Sequence, residues 1–327
     1  MFNQRNYYGK GDYQAPLCKK YQKITNRINM QVHHIGEFGL IRRFQKLLKT
    51  DSSVIEGSGD DCAVLKLDRL SYQLFACDMI AENADFKLND DPYLIGRKAL
   101  AVSVSDIAAC GGLPRYCIIS IGMPKTTPVE FLDRLFRGSL NLAKKFNINI
   151  VGGDISSAPK LIIDTCLLGV VEKSRLVLRN GAKVGDIIFV TGQLGGSRLG
   201  KHLKFTPRVK EARFLVENFK VNSMIDISDG LTQDLSHVLE SSRVGAIIFE
   251  QLIPASRHAR SLKDILGSGE DYELLFSLSP KEAKRLLELD SSGFKPIGEI
   301  ADRKYGLRFI DKKNREENLK PEGFRHF

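Results

Sequence analysis

No run of about 18 apolar residues occurs in these 327 residues, so the sequence offers no membrane-spanning helix. The longest candidate, LIIDTCLLGVV (161–171), is interrupted by Asp164 and reads as a strand. The N-terminus has no apolar signal-peptide core, so a cytoplasmic location is expected. Six cysteines (Cys18, Cys62, Cys77, Cys110, Cys117, Cys166) include no CxxC pair. That spacing argues for reduced packing thiols and against a disulfide framework or a zinc site. Histidine is scarce, six residues with two adjacent at 33–34, which argues against a zinc hydrolase. There is no internal repeat and no low-complexity tract.

What is present is ample apolar content, 43%, enough to bury a substantial core, with two domains expected. The net charge of +10 invites a nucleic-acid reading, but half of the surplus lies in residues 1–33, where six Lys/Arg face only Asp12. Tyr7, Tyr8, Tyr13 and Tyr21 interleave with those bases, a pattern able to stack on single strands. The plainer readings are preferred: a solvated, disordered leader, or a start at Met30. No nucleic-acid partner and no membrane partner are expected.

From Ile35 onward, helical and strand patterns alternate. GEFGLIRRFQKLL spaces Phe38, Ile41, Phe44, Leu47 and Leu48 as one helical face. YQLFACD reads as a strand ending in Asp78, YLIGRKALAVSVSDIAACG as a buried helix, and INIVGGD as a short strand ending in Asp154. IIFVTG, SMIDIS, GAIIFE, YELLFSLS and FKPIGEI read as further strands with helices between. The expected fold is α/β to α+β with mixed sheets. The expected division is a leader at 1–33, an α/β domain at 34–174 and an α+β domain at 175–327.

Acids recur at the ends of apolar segments, or inside them: Asp60–Asp61, Asp78, Asp106, Asp154, and Asp226 with Asp229. One such Asp is usually a cap or a turn residue. Five clusters are hard to explain that way, because a buried lone carboxylate is costly unless paired or bound to metal. Hard oxygen ligands suit Mg²⁺ with a polyphosphate, and the glycines of GSGDD, VGGD and SDG let backbone N–H groups approach phosphate. A rival site, GGSRLGKH (195–202), satisfies GxxxxGK, but His202 stands where a P-loop needs Ser or Thr. It reads as a glycine-rich turn.

The ordered series GDDCAVL, ACDMIAENADF, KALAVSVSDIAACGGLP, VGGDIS, RNGAKVGDIIFVTG, MIDISDGLTQDL, GSGEDYELLF and GFRHF closely resembles the thiamine-monophosphate kinase family. That family belongs to a superfamily shared with aminoimidazole ribonucleotide synthetase and selenophosphate synthetase. The resemblance covers about residues 35–327. It implies transfer of the ATP γ-phosphoryl group to thiamine monophosphate, assisted by several Mg²⁺ ions, in a homodimer formed through the N-terminal domain. Asp61, Asp78, Asp106, Asp154, Asp226 and Asp229 match the family's metal-binding aspartates. Gly153, Asp154, Arg179 and Ser228 match its ATP contacts; Asp85, Glu270 and Phe324 fall where it meets the thiamine substrate. No general base is expected, since the acceptor phosphate is already ionised.

Some positions depart from the family pattern. Ala76 and Cys77 replace hydroxyl residues beside a metal. Sulfur is a poor Mg²⁺ ligand, so Cys77 would contribute through its backbone carbonyl or leave one ion weakly held. Asp85 replaces a common histidine, and Phe324 stands where a hydroxyl-bearing aromatic is common. The alternatives are another ATP-dependent kinase or synthetase of the superfamily and, more distantly, a nucleic-acid-binding protein acting through its leader.

Overall fold

The computed structural model describes residues 31–289 and 293–324. The Tyr/Lys leader up to residue 30, with Cys18, and the final three residues of GFRHF lie outside the described residues. Two units are distinguished, one reaching Leu48 and the other running Lys49–Phe324. In the first, a 3₁₀ turn (Val32–His34) leads into α1 (Gly36–Gln45). The apolar spacing does produce a helix. None of its residues is buried, however, and Leu47 and Leu48 stand exposed beyond its end.

The second unit contains two sheets. The first comprises β1 (Val54–Glu56), β2 (Ala63–Lys66), β3 (Ser71–Ala81), β4 (Leu113–Met123), β5 (Asn149–Ser157) and β6 (Ile162–Glu172). Their order is β1-β2-β3-β6-β4-β5, with β5 at the edge, parallel to β4. β3 runs three residues past Asp78, so that aspartate lies within the strand rather than at its end. Two helices belong to this half, α2 (Pro92–Ala109) and α3 (Val129–Phe146), and α2 packs on β3 and β6. Asp91 caps α2 by accepting from Tyr93 N, and Pro92 supplies a preset first-turn φ. The helix is apolar nearly all round, which is why it can be enclosed between the sheet and α3.

The second sheet contains β7 (Ile187–Val190), β8 (Val221–Asp226), β9 (Gly245–Phe249), β10 (Leu274–Leu278), β11 (Lys295–Ala301), β12 (Leu307–Ile310) and β13 (Glu316–Asn318). Its order is β13-β12-β9-β11-β7-β10-β8, antiparallel except for β12 with β9. Helices α4 (Val209–Asn218), α5 (Leu231–Ser242), α6 (Leu262–Gly267) and α7 (Pro280–Leu287) accompany it. β10 reads LLFSL and is buried at every position. Each large side chain there contributes about 1.5–3 kcal/mol of burial. The fold is thus a two-domain α/β arrangement with mixed sheets. No helix among the described residues is long and apolar enough to cross a membrane.

Candidate active site

Four segments deliver carboxylates to one place. The turn before β2 carries Asp60 and Asp61, β3 carries Asp78, α2 carries Asp106, and β8 ends at Asp226. Carboxylate oxygens of Asp61, Asp106 and Asp226 all lie within 4.8 Å of one another. Asp78 and Asp106 share a hydrogen bond. Ser105, the neighbour of Asp106 on α2, donates to Asp226 Oδ2 at 2.5 Å. A single guanidinium answers these acids: Arg179 Nη2 lies 2.6 Å from Asp61 Oδ1. Its backbone N–H donates to Asp60 Oδ2 at 2.9 Å. In this cluster three buried atoms find no hydrogen-bond partner among the described residues: Asp61 Oδ2, Asp78 Oδ2 and Arg179 Nε.

The electrostatics follow from that shortage of partners. Burial, then the neighbouring Asp61, lifts Asp60 to about 7. Burial, then Asp61, lifts Asp226 to about 8 against the opposing Ser105 bond. Asp61, Asp78 and Asp106 are likewise pushed up by burial, and Asp78, Asp226 and Asp61 crowd Asp106 further upward. Burial opposes the charge on Arg179, but its pairing with Asp61 more than offsets this and raises it. Without a cation this cluster can only stay neutral by holding protons.

The SDG turn lies beside the cluster. Ile227 N donates to Glu273 O at 2.8 Å, holding the turn to the strand pair β8–β10. At Gly230 φ is +133°, and a Cβ there would fall 2.8 Å from Gly267 Cα, so both conformation and space demand glycine. Asp234 Oδ2 accepts from Asp229 N and Gly230 N, each at 3.0 Å, fixing the loop against α5. The sequence reading missed Asp234. Its signal was position: an acid in the first turn of a helix, four residues after the glycine. The Asp229 carboxylate groups with Asp234 and His237 rather than with Asp61, Asp106 and Asp226.

A cavity of about 340 Å³ is lined by Asp85, Lys87, Asp90, Arg198, His202 and Glu270, among others. Glu270 sits at φ +60°, outside the usual range for a side-chain-bearing residue. Its carboxylate is held by Lys98 Nζ at 3.0 Å and His202 Nδ1 at 2.9 Å. Burial works against Glu270's charge, but His202 and Lys98 overcome it and hold the carboxyl below its ordinary value. Lys98 is fully buried on α2 and also donates to Asp85 O at 2.8 Å. Burial pulls its pKa down, opposed by Glu270. The Asp85 side chain turns back onto its own loop, accepting from Ala81 N at 2.8 Å. Phe324 stacks under Arg198, with the guanidinium carbon 4.3 Å from the ring centre. The structure therefore brings Asp85 and Glu270 to one cavity with Arg198 and His202, while Phe324 reaches it through Arg198 and Lys98 through Glu270; sequence reasoning did not select Lys98, Arg198 or His202. A lysine inside the apolar helix pattern RKALAV was the available clue.

Three expected residues, Gly153, Asp154 and the Cys77 thiol, stand elsewhere. Along the hydrogen-bonded register, Asp78 is opposite Thr165, Thr165 opposite Ile119, and Ile119 opposite Gly153. Three strand spacings, about 14 Å, therefore separate Asp78 from Gly153–Asp154 on the exposed edge strand. A Cβ on Gly153 would lie 1.8 Å from Ile119 O, so this glycine is required by strand packing. Cys77 alternates with Asp78 on β3 and faces the other side of the sheet, beside Cys166. Its thiol does not enter the acid cluster, and only its backbone could serve there. Cys62, Cys110 and Cys117 are buried packing thiols, whereas Cys77 is exposed. The lysine of the GxxxxGK turn is engaged within the fold: Lys201 Nζ is 2.8 Å from Glu273 and 3.0 Å from Gln193 O. Gly195 N is already bonded to Asp271.

Such a two-domain chain, with acids gathered from both halves, defines a class. The description "AIR synthase related protein, N-terminal domain" matches residues 59–171, and "AIR synthase related protein, C-terminal domain" matches residues 179–310. Thiamine-monophosphate kinase of Buchnera aphidicola (Schizaphis graminum) is 35% identical over 324 residues, covering 89% of this chain and 99% of the relative. The enzyme of the same name from Rhodopirellula baltica is 35% identical, covering 84% and 92%. A solved structure, AaThiL complexed with AMPPCP and TMP, superposes with a TM-score of 0.80 at 28% identity, covering 91% of this chain and 99% of the other. The chain belongs to the thiamine-monophosphate kinase family.

Proposed function

We propose that this chain transfers the γ-phosphoryl group of ATP to the phosphate of thiamine monophosphate, yielding thiamine diphosphate and ADP. One observation in the site supports this reading most directly: the buried acids leave two carboxylate oxygens without a donor, and Arg179, paired with one of those acids, keeps its Nε–H free. The oxygens suit a hard cation and the N–H suits a phosphate. Family membership and the AaThiL complex with AMPPCP and TMP agree with it.

The acceptor oxygen is already ionised, so the task is to align two polyanions and offset their repulsion. Asp61, Asp78, Asp106 and Asp226 are the residues that would hold Mg²⁺, with Asp229 at the SDG turn. Bound Mg²⁺ would supply charge neutralisation and orientation of the phosphates. Arg179 would meet nucleotide phosphate through Nε while its Nη2 keeps Asp61 in place, and Ser228 would contact nucleotide from the turn. Glu270, fixed by Lys98 and His202, would bind the thiamine moiety within the cavity, with Asp85 near its mouth and Phe324 as a stacking surface. Phe324 cannot donate a hydrogen bond, so it would act only by its ring face.

A homodimer would pair its copies along β5. This strand ends its sheet, and Val151 and Ile155 on it are 62% and 75% exposed, an edge that invites pairing with another chain. Gly153 and Asp154 would then serve a site completed by the second copy. The reaction is expected in the cytoplasm. The direct test is incubation with ATP, MgCl₂ and thiamine monophosphate. Thiamine diphosphate and ADP should form in equal amounts and vanish in Asp229→Asn. ATP turnover only with another small acceptor would remove the substrate assignment and favour a sister activity of the superfamily.

A further inference from the structure

We propose that Cys77, Asp164 and Cys166 form a binding site for a thiophilic divalent cation, with zinc as the fitting ion. The site lies on the face of β3 and β6 turned away from the acid cluster. Cys77 and Cys166 are direct cross-strand partners. Asp164 lies two residues before Cys166 and so projects to the same face. Cys77 Sγ is 3.3 Å from Cys166 Sγ and 3.3 Å from Asp164 Oδ1, and Cys166 Sγ is 3.8 Å from Asp164 Oδ2.

These separations approach one face of a coordination tetrahedron, the two sulfurs having to part by a few tenths of an ångström to take an ion between them. With zinc–sulfur bonds near 2.3 Å and zinc–oxygen bonds near 2.0 Å, ligand atoms stand about 3.4–3.8 Å apart. A fourth position faces outward, open to a water. Binding releases the two thiol protons to solvent and places two thiolates and one carboxylate on the ion. The donor set is decisive for selectivity, because sulfur is a poor match for magnesium and a good one for zinc. The two faces of one strand would therefore sort cations by softness, oxygen-only at Asp78 and sulfur-rich at Cys77. Sequence spacing hid the site: its cysteines are 89 residues apart and become neighbours only through strand pairing. Phe75, Met79 and Ile118 are all exposed apolar residues of the same sheet, so a second copy seated there would shield the ion.

The test titrates the reduced full chain with Co²⁺ under excess MgCl₂, which occupies the oxygen-only site. One equivalent of thiolate-to-cobalt charge-transfer absorption should develop and be displaced by Zn²⁺. Cys77→Ser and Cys166→Ser should each abolish it, and Asp164→Asn should weaken cobalt binding about tenfold or more. Cys77 is exposed, so its serine variant should keep the wild-type circular dichroism spectrum and serves as the folded control. Absence of the charge-transfer band in the reduced protein would overturn the site. So would a band that survives Cys166→Ser, or thiols found joined as a disulfide that reductant does not open.

Discussion

Two buried charged regions of this molecule are built to opposite rules. At the Asp271–Glu273 node, every carboxylate oxygen has a partner. Glu273 Oε1 meets Lys201 and Arg208 Nη2 at 2.8 Å each, and Oε2 meets Arg208 Nε and Thr191 Oγ1 at 2.7 Å each. Asp271 takes the Gly195 N–H and a short hydrogen bond from Ser197. Burial opposes Glu273's charge, yet Arg208 and Lys201 hold it below the ordinary carboxylate range. In the acid cluster the ratio is reversed: Arg179 is the one guanidinium, and two oxygens face no donor among the described residues. A satisfied buried node fixes a fold. An unsatisfied one is stable only as a place that something else completes, so the comparison separates structural acids from functional ones.

Removing a charge from each region should have opposite consequences. Asp226→Asn should lower kcat by a factor on the order of a hundred or more, while the magnesium-free variant melts no lower than wild type, because one crowded carboxylate is gone. Glu273→Gln should do the reverse. It leaves Lys201 and Arg208 facing a neutral group and should destabilise the chain by about 3–5 kcal/mol, read by denaturant unfolding. If the two substitutions affected stability alike, the distinction would fail.

A smaller effect comes from pH. In magnesium-free protein Asp60 and Asp226 sit raised at about 7 and about 8, above the ordinary value of 3.8 they regain on unfolding. The native state then binds more protons than the unfolded state between those limits. Its stability should therefore fall as pH rises from about 4 through about 8. Unfolding midpoints in EDTA across that range should show the slope, and saturating MgCl₂ should flatten it. The least effect is expected from Lys201→Arg, which keeps a cation on Glu273. It should leave the KM for ATP where it was, whereas a phosphate-binding P-loop lysine would not tolerate the exchange.

The same contrast explains what was legible in the sequence. Acids ending apolar runs stood out because such positions are costly for a carboxylate, and the helices and longer strands followed from their periodicity. Short strands such as β1, β2, β12 and β13 carry too few residues to show a pattern. Which acids converge was not legible, because Asp61, Asp106 and Asp226 meet only after the two halves fold together. Asp271 and Glu273 looked no different in the sequence from the functional aspartates; their cations come from Lys201 and Arg208, some 65–72 residues away. Lys98 and His202 were missed for the same reason, being defined by Glu270 across the fold. Alternation along β3 puts the Cys77 thiol on the other side of the sheet from Asp78, a placement not drawn from the sequence, where the strand reads as stopping at Asp78.

The central claim is that the clustered carboxylates hold protons until a cation takes their place. Calorimetric titration of magnesium and the nucleotide AMPPCP into metal-free protein at pH 7, repeated in buffers of different ionisation enthalpy, measures the protons exchanged on binding. Net release of protons to the buffer, lost in Asp226→Asn, is the predicted result. Magnesium-dependent nucleotide binding with no proton release would show the cluster already ionised and contradict the account.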